Sequence, residues 1–493
     1  MKKKIKISTP LLLLLLVGCQ PDVTTSVTLP PSSPDTTSQR ETEHLYDEDG
    51  YILLDFYGIN DFHGSVVYQD TSSGLELGFS KIGAYLKAQE AINPLGTVIT
   101  SSGDMWQGSA DSNITKGKLV TELMNYAGFD AMALGNHEFD WMDTEIYANK
   151  ELAQFPFLGA NIIERATGEL SGLADSYTLM DLGGLKIGII GVIGRNLESS
   201  ILTSAVAPYS FEPEASYVIA AREELDELGA DVVILLTHDS WVSLDSEDLM
   251  ILNSGGTPYV DAVFCGHAHA HDRNLVNDVP ILQTTGNGHS LMHVRLGYHP
   301  TTQDKKVVDY EIVPGSTIDT YEPDPDLEQV YDYYYVNYIK DIKEEKLGSL
   351  SRLMEEREVV RKTVEAMYNY GVTIDEDLAV TFHNYGGARA PLPKGTITYG
   401  DVYKSLPFDN YTVFVTVLGR DLISQMGGYS AYYPADFTPE NNVYYRVMAI
   451  SYLTENSYWA PIIDDLVHIN HPQGEGYYYP RDIVADAFRN KTF

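Results

Sequence analysis

The sequence predicts an α/β protein built from two globular domains. Short apolar runs of strand length end repeatedly at polar clusters, and they alternate with stretches of helical periodicity such as residues 118–126 and 216–228. Of the 493 residues, 44% are hydrophobic and 21% are charged, so the chain can bury sizeable cores. The alternation runs from about residue 47 to residue 315 and is typical of sheets covered by helices. It predicts an α/β first domain in that range.

The chain begins with a predicted signal peptide at residues 1–18. Four lysines precede an unbroken leucine run at 11–16, which is too short to span a bilayer as a mature helix. Leu-Val-Gly-Cys at 16–19 resembles the bacterial lipobox, which predicts lipidation of Cys19; an ordinary signal peptide with an incidental cysteine is the alternative. Residues 19–46 are rich in Thr, Ser and Pro and suit a tether. We therefore expect an extracytoplasmic protein, lipid-anchored to the bacterial cell membrane.

Five apolar runs of the first domain end beside side chains that can bind a metal ion. The runs are residues 52–59, 97–100, 131–134, 232–236 and 262–265, and the side chains are Asp61 and His63, Asp104, Asn136 and His137, His238, and His267 with His269. The carboxyl ends of parallel strands meet at one edge of a sheet, so these side chains are expected to gather there. Carboxylate, amide and imidazole suit Zn, Mn or similar divalent ions. Because no cysteine joins them, the pattern favours a hydrolytic site over a structural zinc site.

The motifs around these residues resemble those of calcineurin-like metallophosphoesterases. The matching stretches are Asn-Asp-Phe-His-Gly at 60–64, Gly-Asp-Met-Trp-Gln-Gly at 103–108, Gly-Asn-His-Glu-Phe-Asp at 135–140, Thr-His at 237–238 and Gly-His-Ala-His at 266–269. The form at 135–140 resembles more narrowly the 5′-nucleotidase and UDP-sugar hydrolase family. The resemblance implies a four-layer α/β/β/α sandwich at residues 47–315 and a second, smaller α/β substrate-binding domain.

The resemblance also implies two divalent metal ions, Mn or Zn, and a role for each matching residue. One ion would be held by Asp61, His63 and His269. The other would be held by Asn136, His238 and His267. Asp104 would bridge the two ions.

His137 lies beside a predicted ligand and outside the ligand set that the resemblance implies. It would stabilise the transition state or protonate the leaving oxygen, with Asp140 orienting it from three residues further on. The alternative for Asp140 is a helix N-terminal carboxylate without a catalytic part. Glu138, between them, is expected to be structural.

The second domain is predicted at residues 345–493, after an acidic, tyrosine-rich linker at 316–344. Its stretches at 384–389, 397–403 and 406–410 resemble the family's substrate domain. The substrate-binding residues that this resemblance implies are Asn384, Gly386, Gly387, Arg389, Phe408 and Asn410. Arg389 would bind a phosphate or carboxylate-like group, because a guanidinium makes paired, directional bonds to such oxygens. Phe408 would stack on the base, and a core aromatic is its alternative reading.

Two parts of the family pattern are missing from this domain. The helix at 361–367 keeps only the end of the family signature, so the second substrate arginine falls to Arg352 or Arg357 without a motif to fix it. The aromatic followed by Gly-Gly-Asp-Gly-Tyr is absent after residue 449. Tyr452 is the positional candidate for the second stacking ring, with Tyr458 or Trp459 as alternates.

Together these features predict a dinuclear-metal phosphohydrolase, foremost a 5′-nucleotidase that releases phosphate from nucleotides by metal-hydroxide attack. A net charge of −37 repels a phosphate backbone, so the expected partner is a small-molecule nucleotide and not a nucleic acid polymer. A UDP-sugar pyrophosphatase or a 2′,3′-cyclic nucleotide phosphodiesterase on the same centre is the alternative among enzymes. A surface nucleotide-binding lipoprotein without turnover is the alternative of another class.

Overall fold

The computed structural model describes residues 28–29, 43–71, 74–241, 257–472 and 477–493. The predicted signal peptide and Cys19 lie outside these residues, as does most of the predicted tether. None of the helices in the described ranges combines the length and the apolar character that crossing a bilayer requires.

Two six-stranded sheets form the centre of the first domain. The first sheet contains, from edge to edge, Lys305–Pro314, Ser290–Tyr298, Ile52–Ile59, Thr97–Ser101, Ala131–Ala133 and Phe157–Leu158. The second sheet contains, in the same manner, Asp272–Val276, Val279–Gln283, Ala262–Phe264, Val232–His238, Leu185–Ile193 and Tyr177–Leu182. Three adjacent strands of each sheet run parallel, which brings their carboxyl ends to a common edge; they are Ile52–Ile59, Thr97–Ser101 and Ala131–Ala133 in the first sheet, and Leu185–Ile193, Val232–His238 and Ala262–Phe264 in the second.

The two sheets pack face to face and carry helices on their outer faces. Leu54 and Phe56 of the first sheet share one buried cluster with Ile234 and Phe264 of the second. Because both faces of these strands are covered, they are apolar along nearly their whole length; Val232–His238 is buried at every position. The resulting order of layers is helix, sheet, sheet, helix, which confirms the predicted four-layer sandwich.

The remaining elements of this part of the chain are helices and short strands. The α-helices are Phe79–Ile92, Ala110–Ile114, Lys118–Ala127, Met142–Leu152, Thr203–Val206 and Glu214–Glu227. Short 3-10 helices lie at His137–Trp141 and Leu197–Ser200. The short strands are Gln69–Thr71 with Gly74–Glu76, and Tyr209–Phe211 with Ile162–Glu164 and Glu169–Leu170.

The segment predicted as a linker packs against the first domain. It contains the α-helices Gly315–Ile318, Pro325–Tyr334 and Lys340–Lys343 and the π-helical turn Tyr335–Ile339. Leu327, Val330 and Ile339 are fully buried in the core that also contains Ile82 and Leu123 of the first domain. The acidic, tyrosine-rich composition therefore belongs to an amphipathic segment with one apolar face.

The second domain has one five-stranded sheet and its own core. The sheet runs Ser430–Tyr432, Leu378–His383, Tyr444–Ile450, Thr412–Leu418 and Ile463–His468, and a separate pair joins Lys346–Leu350 to Gly395–Thr398. The α-helices are Glu356–Gly371, Tyr399–Ser405, Gly419–Gln425, Ser451–Glu455 and Pro480–Arg489, with 3-10 turns at Tyr385–Gly387 and Ala460–Ile462. The helix at Tyr399–Ser405 begins with a capping box between Thr398 and Asp401. This cap fixes the entry to the helix that lines one wall of the cleft described below.

Candidate active site

The predicted metal-binding residues meet at one edge of the two sheets. The first group contains Asp61, His63 and His269, whose ligand atoms lie within 4.8 Å of one another. His63 Nε2 is 3.1 Å from His269 Nε2, and His269 Nε2 is 3.4 Å from Asp61 Oδ1. Two ligands of a tetrahedral zinc ion lie about 3.3 Å apart, so these spacings fit a shared divalent ion.

The second group contains Asp104, His238 and His267, again within 4.8 Å of one another. Asn136 belongs to it, because its Oδ1 lies 3.1 Å from His238 Nε2 and 3.0 Å from His267 Nδ1. Asp104 Oδ2 is 3.2 Å from His238 Nε2 and 4.0 Å from His63 Nε2 of the first group. Its carboxylate therefore faces both groups, as a bridging ligand must.

Backbone carbonyls set the orientation of two of these imidazoles. His63 Nδ1 donates to the Gln107 carbonyl at 2.7 Å, and His238 Nδ1 donates to the Ser102 carbonyl at 2.7 Å. Each bond leaves Nε2 with its lone pair toward the centre of the site. Burial lowers the pKa of His63 to about 4, so this ring is neutral and available as a ligand.

Five of the predicted ligands have left-handed backbone conformations. The φ values are 50° for Asp61, 50° for His63, 53° for Asp104, 68° for His267 and 49° for His269. This region is sparsely populated by residues with a side chain and costs about 1–3 kcal/mol per residue. Such strain clusters at functional sites, and here it occurs at five ligands of the two groups.

Glu138 binds the loops that carry these ligands. Its carboxylate accepts backbone N–H groups from Gly135 at 2.7 Å, Asp104 at 2.8 Å, Met105 at 2.9 Å and Trp106 at 3.3 Å. The side chain is fully buried, and both of its oxygens accept these bonds. Glu138 is thus a structural carboxylate that holds two ligand loops together.

Asn60 is a supporting residue that the sequence motifs did not single out. Its Nδ2 donates to Asp61 Oδ2 at 2.6 Å, and its Oδ1 accepts from the Thr284 backbone N–H at 3.0 Å. It thereby connects the first ligand loop to the loop after Val279–Gln283. Its position next to Asp61 in the motif is the sequence feature that could have identified it.

His137 and Asp140 form the predicted pair next to the metal groups. His137 Nδ1 donates to Asp140 Oδ2 at 2.8 Å, and the His137 side chain lines the cleft described below. The His137 ring centroid is 5.4 Å from that of His63, and the His137 backbone N–H donates to Asp104 Oδ1 at 2.8 Å. The side chain is therefore beside the ligand groups and has an orienting carboxylate behind it.

A cleft of about 600 Å³ runs from the metal groups to the second domain. His63, His137 and His269 of the first domain line it together with Arg389 and Phe408 of the second. The Arg389 guanidinium lies over the Phe408 ring, with its carbon 5.3 Å from the ring centroid. Arg389 is exposed and Phe408 is half-buried, so both are accessible to a ligand in the cleft.

The other predicted substrate residues do not line this cleft. Asn384 is half-buried, and its Oδ1 lacks a hydrogen-bond partner among the described residues. A Cβ at Gly387 would stand 2.0 Å from His383 Cε1, so packing against that ring requires glycine, whereas a Cβ at Gly386 would meet only Asn384 Nδ2 at 3.8 Å. Asn410 is half-buried outside the cleft. Their assignment to substrate binding stays a prediction.

The residues suggested for the two missing family positions do not line this cleft, and their assignment stays a prediction. Arg352 is paired with Glu358 at 2.6 Å, and neither Arg352 nor Arg357 lines the cleft. Tyr452 is 46% exposed on a short helix outside the cleft, and Trp459 is a core residue against Phe382. The alternate Tyr458 is 74% exposed and also lies outside the cleft.

Lysines are the other cations of the cleft. Among the described residues, Lys343 and Lys404 line it together with Arg389. Lys343 is paired with Asp111 at 2.5 Å, while Lys404 donates to the neutral Gln69 Oε1 at 2.9 Å. These lysines lie outside the motifs, so only the folded cleft shows them.

Comparison with known proteins gives the same two parts in the same order. The calcineurin-like phosphoesterase model matches residues 54–271, and the model of the 5′-nucleotidase C-terminal domain matches residues 341–437. The chain is 26% identical over 406 residues to Endonuclease YhcR of Bacillus subtilis (76% of this chain, 32% of that protein), and 26% identical over 381 residues to a 5′-nucleotidase of Vibrio cholerae (67% of each). It therefore spans about a third of the first relative and about two thirds of the second.

A solved structure shares the whole architecture. The 5′-nucleotidase precursor from Thermus thermophilus superimposes with a TM-score of 0.69 at 17% identity, covering 90% of this chain and 97% of that one. At this identity the likeness concerns the fold, while the two family models and the ligand motifs concern the site. The chain belongs to the 5′-nucleotidase family of calcineurin-like metallophosphoesterases, which are metal-dependent phosphoric ester hydrolases.

Proposed function

We propose that this protein is an extracytoplasmic 5′-nucleotidase that releases phosphate from a nucleotide at a dinuclear metal centre. The observation that carries the proposal is that His63, His137 and His269 line the same cleft as Arg389 and Phe408. The metal groups and Arg389 suit a phosphate ester, and the Phe408 ring suits a flat base. A nucleotide has both properties.

The chain's own residues supply binding and proton transfer. Two divalent ions, Mn or Zn, held by the seven ligands would neutralise the phosphoryl charge and activate the attacking water. His137 protonates the leaving ribose oxygen through Nε2, and Asp140 holds the ring in the tautomer that this transfer needs. Arg389 binds an anionic group of the substrate, and Phe408 packs on the base.

A diester substrate is the second candidate. The relative from Bacillus subtilis is named an endonuclease, and the nucleotidase-type clamp of this chain is incomplete at two positions. The strongly negative chain disfavours a polymer, so a small diester such as a 2′,3′-cyclic nucleotide fits this candidate better. A UDP-sugar, which contains a pyrophosphate bond, is the other small substrate considered for this centre.

Phosphate release from a substrate panel tests the proposal, with a coupled phosphatase added for the diesters and UDP-glucose, whose first products are monoesters. The chain from residue 19 with Cys19→Ser is supplied with Mn or Zn and with AMP, UMP, ATP, UDP-glucose, 2′,3′-cyclic AMP and bis-p-nitrophenyl phosphate. We expect selective release from a nucleoside monophosphate. Activity confined to diesters or UDP-glucose would replace the substrate but keep the metal chemistry, and binding without turnover would support the non-catalytic lipoprotein.

A further inference from the structure

A second buried cluster lies between the domains, outside the metal centre. The Asp409 carboxylate accepts from Lys116 Nζ at 2.6 Å and from Trp141 Nε1 at 2.9 Å, both in the first domain. It is also paired with the Arg481 guanidinium of the second domain. The side chains of Asp409 and Arg481 are 9% and 5% exposed, so this ionic contact is almost completely removed from water.

One side of this cluster holds the loop that carries Phe408. Arg481 Nη1 donates to the Phe408 carbonyl at 3.0 Å, and Asn113 Nδ2 of the first domain donates to the Pro407 carbonyl at 3.1 Å. The loop is therefore bound from both domains, immediately before and after the ring that faces the cleft.

The other side of the cluster ends in the 3-10 helix His137–Trp141. Trp141 is the last residue of this helix, and Lys116 Nζ lies 4.9 Å from the centroid of its ring. The Lys116 carbonyl is in turn held by Asn149 Nδ2 at 2.9 Å. Asp409 is thus bonded directly to the helix that presents His137 and Asp140.

The two cations of the cluster keep Asp409 ionised and bound to both domains. Burial opposes ionisation of Asp409, but Arg481 and Lys116 outweigh it and hold the pKa of this carboxyl well below its usual range. Buried ion pairs contribute little net stability compared with apolar residues of similar size, whereas losing one partner is costly. A contact of this kind is better explained by the geometry that it fixes than by stability alone.

We propose that Asp409 is a positioning residue that fixes the Phe408 ring at a set distance from His137, so that a nucleoside-sized group fits between the ring and the metal centre. The proposal rests on the proposed function for the identity of the group in the cleft. It assigns no contact with substrate to Asp409, Lys116 or Trp141.

The test uses full-length chains loaded with Mn, in which only the first-domain side of the cluster is altered. Lys116→Met removes the charge, and Trp141→Phe removes the N–H together with part of the indole ring, so the buried Asp409–Arg481 pair remains. Lys118→Met is the matched control, because Lys118 forms a partly exposed pair with Glu145 at 3.3 Å within the first domain. The measurements are the Kd of adenosine and of uridine by calorimetry, and kcat/KM for AMP and for p-nitrophenyl phosphate.

We expect Lys116→Met to weaken binding of the preferred nucleoside about tenfold and to lower kcat/KM for AMP by a larger factor than that for p-nitrophenyl phosphate. Trp141→Phe should give a smaller loss in the same direction, and Lys118→Met should match the unaltered chain. Phe408→Leu should weaken nucleoside binding as well. Adding Lys116→Met to Phe408→Leu should cause no further loss, because both changes act through one ring.

Unchanged nucleoside affinity in Lys116→Met, or additive losses in the double variant, would overturn the positioning role. So would a Phe408→Leu chain that binds nucleosides as the unaltered chain does. If the unaltered chain releases no phosphate from AMP but its nucleoside binding responds as expected, the 5′-nucleotidase proposal fails and the positioning role stands.

Discussion

Replacing Asp140 by asparagine should move the alkaline limit of nucleotide hydrolysis to lower pH. His137 must carry a proton to transfer it to the leaving oxygen, so activity is lost as the pH rises through the pKa of His137. Burial opposes that proton, but the carboxylates of Asp140 and Asp104 outweigh burial and raise the pKa of His137 to about 10. Asp140 makes the direct contact, at 2.8 Å from Nδ1.

The size of the shift follows from this hydrogen bond. A hydrogen bond to a charged group contributes about 1.5–3 kcal/mol, and one pKa unit corresponds to about 1.4 kcal/mol. The two side chains are 23% and 18% exposed, so solvent screening favours the lower end of this range. We expect the alkaline limit of Asp140→Asn to fall by about one pH unit. Bound metal ions lower the absolute pKa in both chains, and the comparison between them removes this effect.

The assay compares two leaving groups across the neutral to alkaline range. AMP needs a proton on its ribose oxygen, whereas p-nitrophenolate leaves without one. His137→Ala should therefore lower kcat for AMP about 10²- to 10⁴-fold and affect p-nitrophenyl phosphate far less. Asp143→Asn is the control, because Asp143 accepts from the Tyr209 hydroxyl at 2.8 Å and lies outside the cleft. An Asp140→Asn profile that coincides with the unaltered one would refute the dyad.

Three further expectations concern the metal groups, the loops and acid stability. A chelator should abolish phosphate release and Mn or Zn should restore it, while His269→Ala should lower the bound metal from two ions per chain to one, measured by elemental analysis. Glu138→Gln places an amide N–H against backbone N–H donors, so we expect a loss of about 1–3 kcal/mol in unfolding free energy together with weaker metal binding; an unchanged denaturation midpoint would contradict this. The pKa of Asp55 is lowered to about 2, because hydrogen bonds from His293 and Arg295 outweigh the opposing effect of burial. Its stabilisation of about 2 kcal/mol is present above pH 4 and lost as the pH falls through about 2, so Asp55→Asn should flatten the acid-unfolding curve in that window.

The metal centre was predictable because its signal is local. Each ligand lies at the end of an apolar run or a few residues after it, as Asp61 does after Ile52–Ile59 and Asn136 after Ala131–Ala133, and parallel strands bring such positions to one edge. The helix, sheet, sheet, helix order came from the family resemblance and was confirmed. The left-handed backbone at the ligands carries no mark in the sequence beyond the neighbouring glycines.

The cleft residues contributed by the second domain were less predictable, because their positions depend on contacts between the two domains. Arg389 and Phe408 lie in motifs and line the cleft, whereas Lys404 and Lys343 line it without any motif. Arg481 is separated from Asp409 by 72 residues, and it stands in a helix with an ordinary amphipathic pattern. No periodicity connects two such residues, since their pairing is decided by how the two domains pack.

The division of the ligands between the two sheets links metal uptake to folding. The loops of the first sheet supply His63 and the oxygen donors Asp61, Asp104 and Asn136, and those of the second supply the imidazoles of His238, His267 and His269. Neither sheet alone supplies all the ligands of either group, so metal ions bound there would hold the two sheets together. Binding energy then adds to the free energy of docking the sheets. We therefore expect the chain to take up its metal ions in the compartment where the two sheets dock.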